Sequence, residues 1–215
     1  MKQLREWDMI EQVTVYGYIS ENCFFYIDDN TKHGFLIDPG AEADRLLAMI
    51  RENGWVIEKI LLTHGHFDHI GAVNEIREAL QIPVLAFQTA DDYLLSPYAN
   101  LSAQFNDPVI VRNVQHVGEG DEIALSTNPQ FSLRVIHTPG HTTDSIVFYA
   151  EHEGVLFSGD TIFKASIGNT RFPGGDYDTL VHSIIHKIFT LPEDTVIYSG
   201  HSEPTSVGTE KRRYF

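Results

Sequence analysis

The run Thr63-His64-Gly65-His66-Phe67-Asp68-His69 places three imidazoles and one carboxylate within six residues, from His64 to His69. Neutral imidazole nitrogen and carboxylate oxygen are ligands that zinc and iron accept, so the chemistry on offer is that of a bound metal ion. Taken alone, such a run could be a His-rich surface loop, because a motif is a hypothesis until its context supports it. Three further stretches supply that context: His137-Thr138-Pro139-Gly140-His141-Thr142, Ser158-Gly159-Asp160-Thr161 and Ser199-Gly200-His201-Ser202. In each, a glycine directly precedes the candidate ligand, which lets the backbone turn tightly and face the side chain inward. His64, His66, Asp68, His69, His141, Asp160 and His201 make seven candidates. One closed zinc site needs four ligands and a catalytic one three plus water, so seven imply two metal ions sharing one carboxylate. His33, His116, His137, His152, His182 and His186 lack such settings. His182 and His186 stand four apart on a helix, but with no third ligand nearby in sequence they read as surface or packing residues.

Elements that could hold these ligands follow from periodicity. Ile60-Leu61-Leu62 reads as a buried strand that ends in the His-rich loop. Val13 to Ile19, Cys23 to Ile27 after a polar break, and Gly34 to Ile37 predict an antiparallel meander. Asp38-Pro39-Gly40 closes it, and Asp38 is equally a turn residue or an acceptor behind a ligand histidine. Cys23 reads as a small buried hydrophobe. A helix is expected over Ala43 to Arg51, stopped by Asn53-Gly54, and another from Ala72 to Leu80. Pro83 to Ala86 is a strand, Asp91 to Leu95 a helical turn, and Ser96 to Pro108 a loop that could border a site. Strands are expected over Glu122 to Leu125, Phe131 to Ile136, Ile146 to Tyr149 and Val155 to Phe157. A final helix, Thr179 to Phe189, precedes a strand from Thr195 to Tyr198. The three later ligand stretches each follow one of these strands. Two blocks of strands followed by helices predict two sheets face to face with helices outside. No linker rich in Gly, Ser or Pro divides residues 1–215, so one domain is expected.

Composition bounds the function classes. Lys+Arg 15 against Asp+Glu 30 gives a net charge of −15, which disfavours nucleic-acid partners and anionic lipid surfaces. The single cysteine excludes an internal disulfide. The start, Met1 to Met9, is polar, and no apolar run approaches the ~18 residues of a membrane span. A cytoplasmic protein acting on a small molecule is the expectation.

With Leu36-Ile37-Asp38-Pro39-Gly40, Thr63 to His69, Thr138 to Thr142, Ser158 to Thr161 and Ser199-Gly200-His201 in place, the chain resembles the metallo-β-lactamase-fold hydrolases over nearly its whole length. Within them it is most similar to the short branch resembling glyoxalase II, the hydroxyacylglutathione hydrolases. The resemblance implies an α/β (α+β) class fold: an αββα sandwich of two mixed β-sheets with helices on the outer faces and metals at one edge. It puts His64, His66 and His141 on one ion and Asp68, His69 and His201 on the other, with Asp160 bridging. It further implies two divalent ions per chain, zinc first and iron or manganese next, a bridging hydroxide as nucleophile, and Asp68 as ligand and proton carrier. The implied activity is hydrolysis of a hydroxyacyl thioester such as S-lactoylglutathione. A mononuclear-iron persulfide dioxygenase, using His64, His141 and Asp160, and a lactonase are the alternatives on the same fold.

Gly168-Asn169-Thr170-Arg171 departs from the branch, which commonly reads Gly-Arg-Thr-Asp here. In so acidic a chain an anionic substrate needs local positive charge or polar donors. Arg171, Asn169 and Lys164 are the candidates for substrate contact, with the tail Lys211-Arg212-Arg213 behind them. The oligomeric state has no signal in the sequence.

Overall fold

The computed structural model describes residues 10–214; the polar start Met1 to Met9, on which the expectation of no export signal rests, lies outside them. In chain order the elements are β1 (Ile10–Tyr16), β2 (Ser20–Ile27), β3 (His33–Ile37), α1 (Ala43–Asn53), β4 (Val56–Leu61), α2 (Phe67–Ile70), α3 (Val73–Leu80), β5 (Val84–Phe87), α4 (Asp91–Leu94), β6 (Gln115–Val117) and β7 (Glu122–Ala124). There follow β8 (Ser132–His137), β9 (Ile146–Ala150), β10 (Val155–Gly159), β11 (Ile162–Phe163), β12 (Ser166–Ile167), α5 (Tyr177–His186), β13 (Val196–Ser199), β14 (Thr205–Ser206) and α6 (Val207–Tyr214).

Alternation of side chains along the strands sorts them into layers. In β2, Cys23, Phe25 and Ile27 pack with Leu46 and Ile50 of α1 and Val73 and Ile76 of α3. The intervening Phe24 and Tyr26 face the other way, onto Phe131, Phe148 and Phe157 of the opposite sheet. In β9, Phe148 points into that same space, while Val147 and Tyr149 turn outward onto Leu180 and Ile184 of α5. Both faces of each sheet are therefore apolar, which only a four-layer helix–sheet–sheet–helix stack can bury. The first sheet runs β1-β2-β3-β4-β5-β6 and the second β14-β13-β10-β9-β8-β7. Each mixes orientations: β1–β3 are antiparallel and β3–β6 parallel, while β10 and β13 are parallel within an otherwise antiparallel sheet. The expected αββα sandwich is the observed fold.

Several boundaries differ from expectation. The polar break before Cys23 is the start of β2, and residues 17–19, expected as strand, form the hairpin turn. Asp68 and His69 sit on the short helix α2 rather than in a loop. The helix expected to run to Phe189 ends at His186 and gives way to a 3-10 turn, Ile188–Thr190, and it is not the last helix, because α6 follows. α1 stops as expected: Gly54 takes φ 66, and its N–H reaches the Ile50 and Arg51 carbonyls. Among the described residues no helix is long and apolar enough to cross a membrane.

The two sheets are also joined by polar contacts. Glu58 on β4 accepts from the Ser126 N–H at 2.7 Å and the Thr127 hydroxyl at 3.3 Å, and faces His33 Nδ1 at 2.9 Å. Burial alone would raise the Glu58 carboxyl, but the hydrogen bonds from Ser126 and His33 and the Lys59 ammonium outweigh it and hold it at about 2. A value depressed below the ordinary 4.5 means that the stabilisation is complete above pH 4.5 and is lost as the pH falls from there through 2. Glu58→Gln should therefore be less stable than wild type at pH 7, with the difference shrinking between pH 4.5 and 2. Urea titrations at a series of pH values check this; a difference that stays constant in acid would assign the effect to packing.

Candidate metal centre

Parallel neighbours in a sheet end at the same edge, and ligand sites gather beyond the carboxyl ends of such strands. β3 pairs with β4, with Ile37 opposite Leu61, and β10 with β13, with Gly159 opposite Ser199. The segments that follow carry Asp38, then His64 to His69, Asp160 and His201. The turn after β8 brings His141 to the same edge. Gly159 takes φ 48, a left-handed conformation that costs a side chain, and a Cβ there would lie 2.2 Å from Thr63 Oγ1. At Gly200 the constraint is space alone: a Cβ would stand 2.5 Å from Asp160 Oδ1 and 2.7 Å from His69 Cε1.

The seven expected residues meet in two adjoining groups. In the first, His64 Nε2 and His141 Nε2 lie 3.1 and 2.9 Å from His66 Nδ1. Three ligands on a tetrahedral ion with bonds of ~2.0–2.1 Å stand about 3.3 Å apart, close to this spacing. Burial depresses all three imidazoles, His66 to about 3, so they present lone pairs rather than protons at neutral pH. The far nitrogens of two are held, His64 Nδ1 by Thr63 Oγ1 at 3.1 Å and His141 Nδ1 by the Asn169 carbonyl at 2.7 Å, while His66 Nε2 is buried without a hydrogen-bond partner.

In the second group, His201 Nε2 lies 3.3 Å from Asp68 Oδ2 and His69 Nε2 4.0 Å from the same oxygen. Asp160 stands between the groups. Its Oδ2 is 3.6 Å from His141 Nε2 and 3.4 Å from His201 Nε2, and its Oδ1 is 3.4 Å from His69 Nε2. Burial would lower His69 and His201, yet Asp160 and Asp68 outweigh it, raising His69 well above its usual range and His201 to about 10. The carboxylates therefore set up a field that favours a cation here. His69 Nε2 and Asp160 Oδ1 are buried without a hydrogen-bond partner, a costly state for polar atoms that a cation between the groups would relieve. Donor types, spacing and field thus fit divalent metal ions.

Asp38 fills both of its expected roles. At φ 50 it makes the turn, and its carboxylate accepts from Thr63 N and Oγ1 and, at 3.0 Å, faces His69 Nδ1. Cys23 is buried, as expected. The candidate substrate contacts fare differently. Lys164 is paired with Glu203 at 2.7 Å. Asn169 works through its backbone carbonyl behind His141, and its Oδ1 accepts from the Arg171 N–H. The Arg171 side chain is exposed, with no ion pair or hydrogen bond among the described residues, and it is not among the residues that wall the cavity over the groups. The tail residues Lys211, Arg212 and Arg213 are on α6, engaged by Phe189, Glu193 and Glu210. His182 and His186 are exposed on α5.

Sequence reasoning missed the outer supports. Tyr93 packs against Gly65, takes the Thr143 N–H at 3.0 Å and gives its hydroxyl to the Pro173 carbonyl at 3.1 Å. Ser20, Glu21 and Asn22 back the second group; their only signal was polarity at the head of an apolar strand. Above the groups opens a cavity of about 170 Å³, walled by Ile19, Phe67, Leu101 and Phe172.

This chain belongs to the metallo-β-lactamase superfamily, whose family description it matches over residues 17–201. The superfamily is one of metal-binding proteins and hydrolases. The chain is similar to the hydroxyacylglutathione hydrolase GloC of Haemophilus influenzae, 34% identical over 94% of this chain and 95% of that one. Among solved structures it is similar to the B3 metallo-β-lactamase BLEG-1, with a TM-score of 0.88, 36% identity and coverage of 95% and 97% of the two chains. It is also similar to the di-iron-bound form of TTHA1623, with a TM-score of 0.83, 33% identity and coverage of 94% and 97%.

Gly40 is the point where the β3 edge meets α2: a Cβ there would lie 1.6 Å from the Asp68 carbonyl oxygen. Gly40→Ala must displace α2, at a cost of about 1–3 kcal/mol, and should lower Tm by about 3–10 °C. Thermal unfolding followed by circular dichroism checks it; an unchanged Tm would mean that the contact between the two segments is loose.

Proposed function

We propose that this chain is a dinuclear metal-dependent thioester hydrolase of one domain, acting on a hydroxyacyl thioester, with S-lactoylglutathione the first substrate to test. The observation that carries the reading is Asp160, set between an all-imidazole group and an Asp/His group within 3.6 Å of a nitrogen from each. In this reading His64, His66 and His141 hold one ion, Asp68, His69 and His201 the other, and Asp160 both. Zinc is the first expectation; the di-iron relative keeps iron in view. When bound, such ions lower the pKa of water to about 7 and polarise the carbonyl to be attacked.

The protein's own groups do the rest. The Asp68 carboxylate lies 3.3 Å from His201 Nε2 and 4.0 Å from His69 Nε2, and in this reading it is both a ligand and the acceptor of a proton. Ile19, Phe67, Leu101 and Phe172 wall the mouth with apolar surface that excludes water and receives the acyl group. Arg171, exposed and with no side-chain partner among the described residues, suits bidentate contact with a substrate carboxylate. The similarity to GloC supports the thioester reading; the similarity to BLEG-1 makes a β-lactam the control substrate.

Elemental analysis of the loaded protein should find two ions per chain, and His201→Ala should release mainly one, because the all-imidazole group is intact. A single ion in wild type, unchanged in the variant, would sink the dinuclear reading. A panel of thioesters, a lactone, a β-lactam and a persulfide with oxygen uptake then tests the substrate class. Turnover of the persulfide with oxygen and of no thioester would replace the hydrolase by a dioxygenase.

Asp68→Asn removes the proton acceptor and weakens a ligand, so kcat should fall by about 100-fold or more while KM changes little. Steady-state kinetics on metal-replete protein decides it. A kcat within about threefold of wild type, ~0.6 kcal/mol, would leave Asp68 without a part in turnover.

A further inference from the structure

The apolar walls of the cavity above the ligand groups come from separate segments: Phe67 from α2, Leu101 from the stretch after α4, and Phe172 from the stretch between β12 and α5. Phe172 stands edge-on to the all-imidazole group, its ring centroid 5.6 Å from that of His66 and 6.3 Å from that of His141, at 86° and 84°. It belongs to no helix or strand, so its place depends on what holds the backbone beside it.

Tyr93 on α4 supplies that hold. The side chain is buried, and its hydroxyl donates to the Pro173 carbonyl, next to Phe172, at 3.1 Å. The same oxygen accepts from the Thr143 N–H, two residues past His141, at 3.0 Å. A buried tyrosine hydroxyl needs a partner, and one would satisfy it; here it takes two, from two different loops. Gly174 takes φ 79, and a Cβ there would collide with that hydroxyl. The backbone end of Tyr93 is tied as well. Its carbonyl accepts from Asn100 Nδ2 at 3.2 Å, and the Asn100 carbonyl accepts from the Phe67 N–H at 2.9 Å. Asn100 is fully buried and precedes Leu101, which takes φ 72, a conformation a leucine keeps only where its surroundings fix it. Phe67, Leu101 and Phe172 therefore share one frame, and the Tyr93 hydroxyl joins the Phe172 loop to it.

We propose that Tyr93 is a positioning residue that sets acyl-group specificity: through the Pro173 carbonyl its hydroxyl holds Phe172 at the cavity and fixes the size of acyl group that fits. The inference rests on the thioester reading above, and it is independent of how many metal ions the chain holds. The cavity is small, about 170 Å³, and in an apolar pocket a single methylene changes kcat/KM by about 10- to 200-fold. Discrimination against a bulky acyl group is thus a sensitive readout of where the Phe172 wall stands.

The test is steady-state kinetics of wild type, Tyr93→Phe, Phe172→Ala and the double variant on S-lactoylglutathione and the bulkier S-mandeloylglutathione, with metal content and thermal unfolding of each protein. Wild type should favour the lactoyl thioester by about 10-fold or more in kcat/KM. Tyr93→Phe should bring that ratio to within about threefold at unchanged metal content, and should alter it by less than about twofold in the Phe172→Ala background, where the wall is already gone. Gly174→Ala, whose methyl displaces the same loop, should relax the ratio as Tyr93→Phe does, and it carries the test if Tyr93→Phe does not fold. An unchanged ratio in Tyr93→Phe and Gly174→Ala, or a wild type with no preference, would overturn the proposal and leave the thioester reading standing. Equal losses on both substrates, or an effect of Tyr93→Phe as large without Phe172 as with it, would overturn it in favour of a purely structural role. A wild type that hydrolyses neither thioester would overturn the S-lactoylglutathione reading and the proposal with it.

Discussion

The site depends on one buried imidazole held by carboxylates at both ring nitrogens. His69 faces Asp38 at 3.0 Å through Nδ1 and Asp160 at 3.4 Å through Nε2. Asp38 ends β3, His69 stands on the helix after β4, and Asp160 ends β10, so this short chain of contacts crosses from one sheet to the other. His69 is fully buried, and in such surroundings both attraction between opposite charges and the penalty for an unmatched one are large. Moving any of the three segments would leave a buried charge unanswered. The edge of the sandwich is therefore specified electrostatically as well as by packing.

The layers behind the edge make that arrangement possible. Phe24, Tyr26, Phe148 and Phe157 fill the space between the sheets, with Tyr26 and Phe157 ring centroids 5.5 Å apart. Close packing of aromatic side chains leaves little room for one sheet to slide over the other. Segments rooted in β4, β8, β10 and β13 can then bring side chains within 2.9–3.6 Å of one another although they come from positions as distant as 64 and 201. Where the constraint reaches the backbone, the sequence has glycine: at 159 for the left-handed turn and at 200 for room beside His69 and Asp160.

Electrostatics divides the two ligand groups. Burial keeps the His64, His66 and His141 trio neutral, whereas Asp68 and Asp160 impose a negative field on His69 and His201. The all-imidazole group and the carboxylate-rich one are therefore chemically distinct, although Asp160 lies within 3.6 Å of a nitrogen of each. The chain as a whole carries −15, and Lys164 is already matched by Glu203. The Arg171 side chain has no such partner among the described residues.

How much of this was legible in the sequence follows from what is local in the chain. The ligand types within residues 64–69, the glycine before His141, Asp160 and His201, and apolar runs such as Cys23 to Ile27 are contained in short windows, and with the family resemblance they led to the sandwich and to the seven residues that meet at its edge. Asp38 could be weighed but not decided, since its partners lie 25 and 31 positions away at Thr63 and His69. Glu21 and Asn22 read as a break between strands, because a polar pair beside an apolar run ordinarily marks a surface turn. Only the folded chain buries them against residues near 69 and 200. Lys164 and Arg212 looked available for the same reason in reverse: their partners, Glu203 and Glu193, are paired with them by tertiary geometry alone. The sequence by itself determined which residue types gather at the edge and the layers behind it, because residue type and short-range periodicity carry them. The tertiary structure decided which charges stand behind the ligands, because a charge acts through space, and its neighbours in space are not its neighbours in the chain.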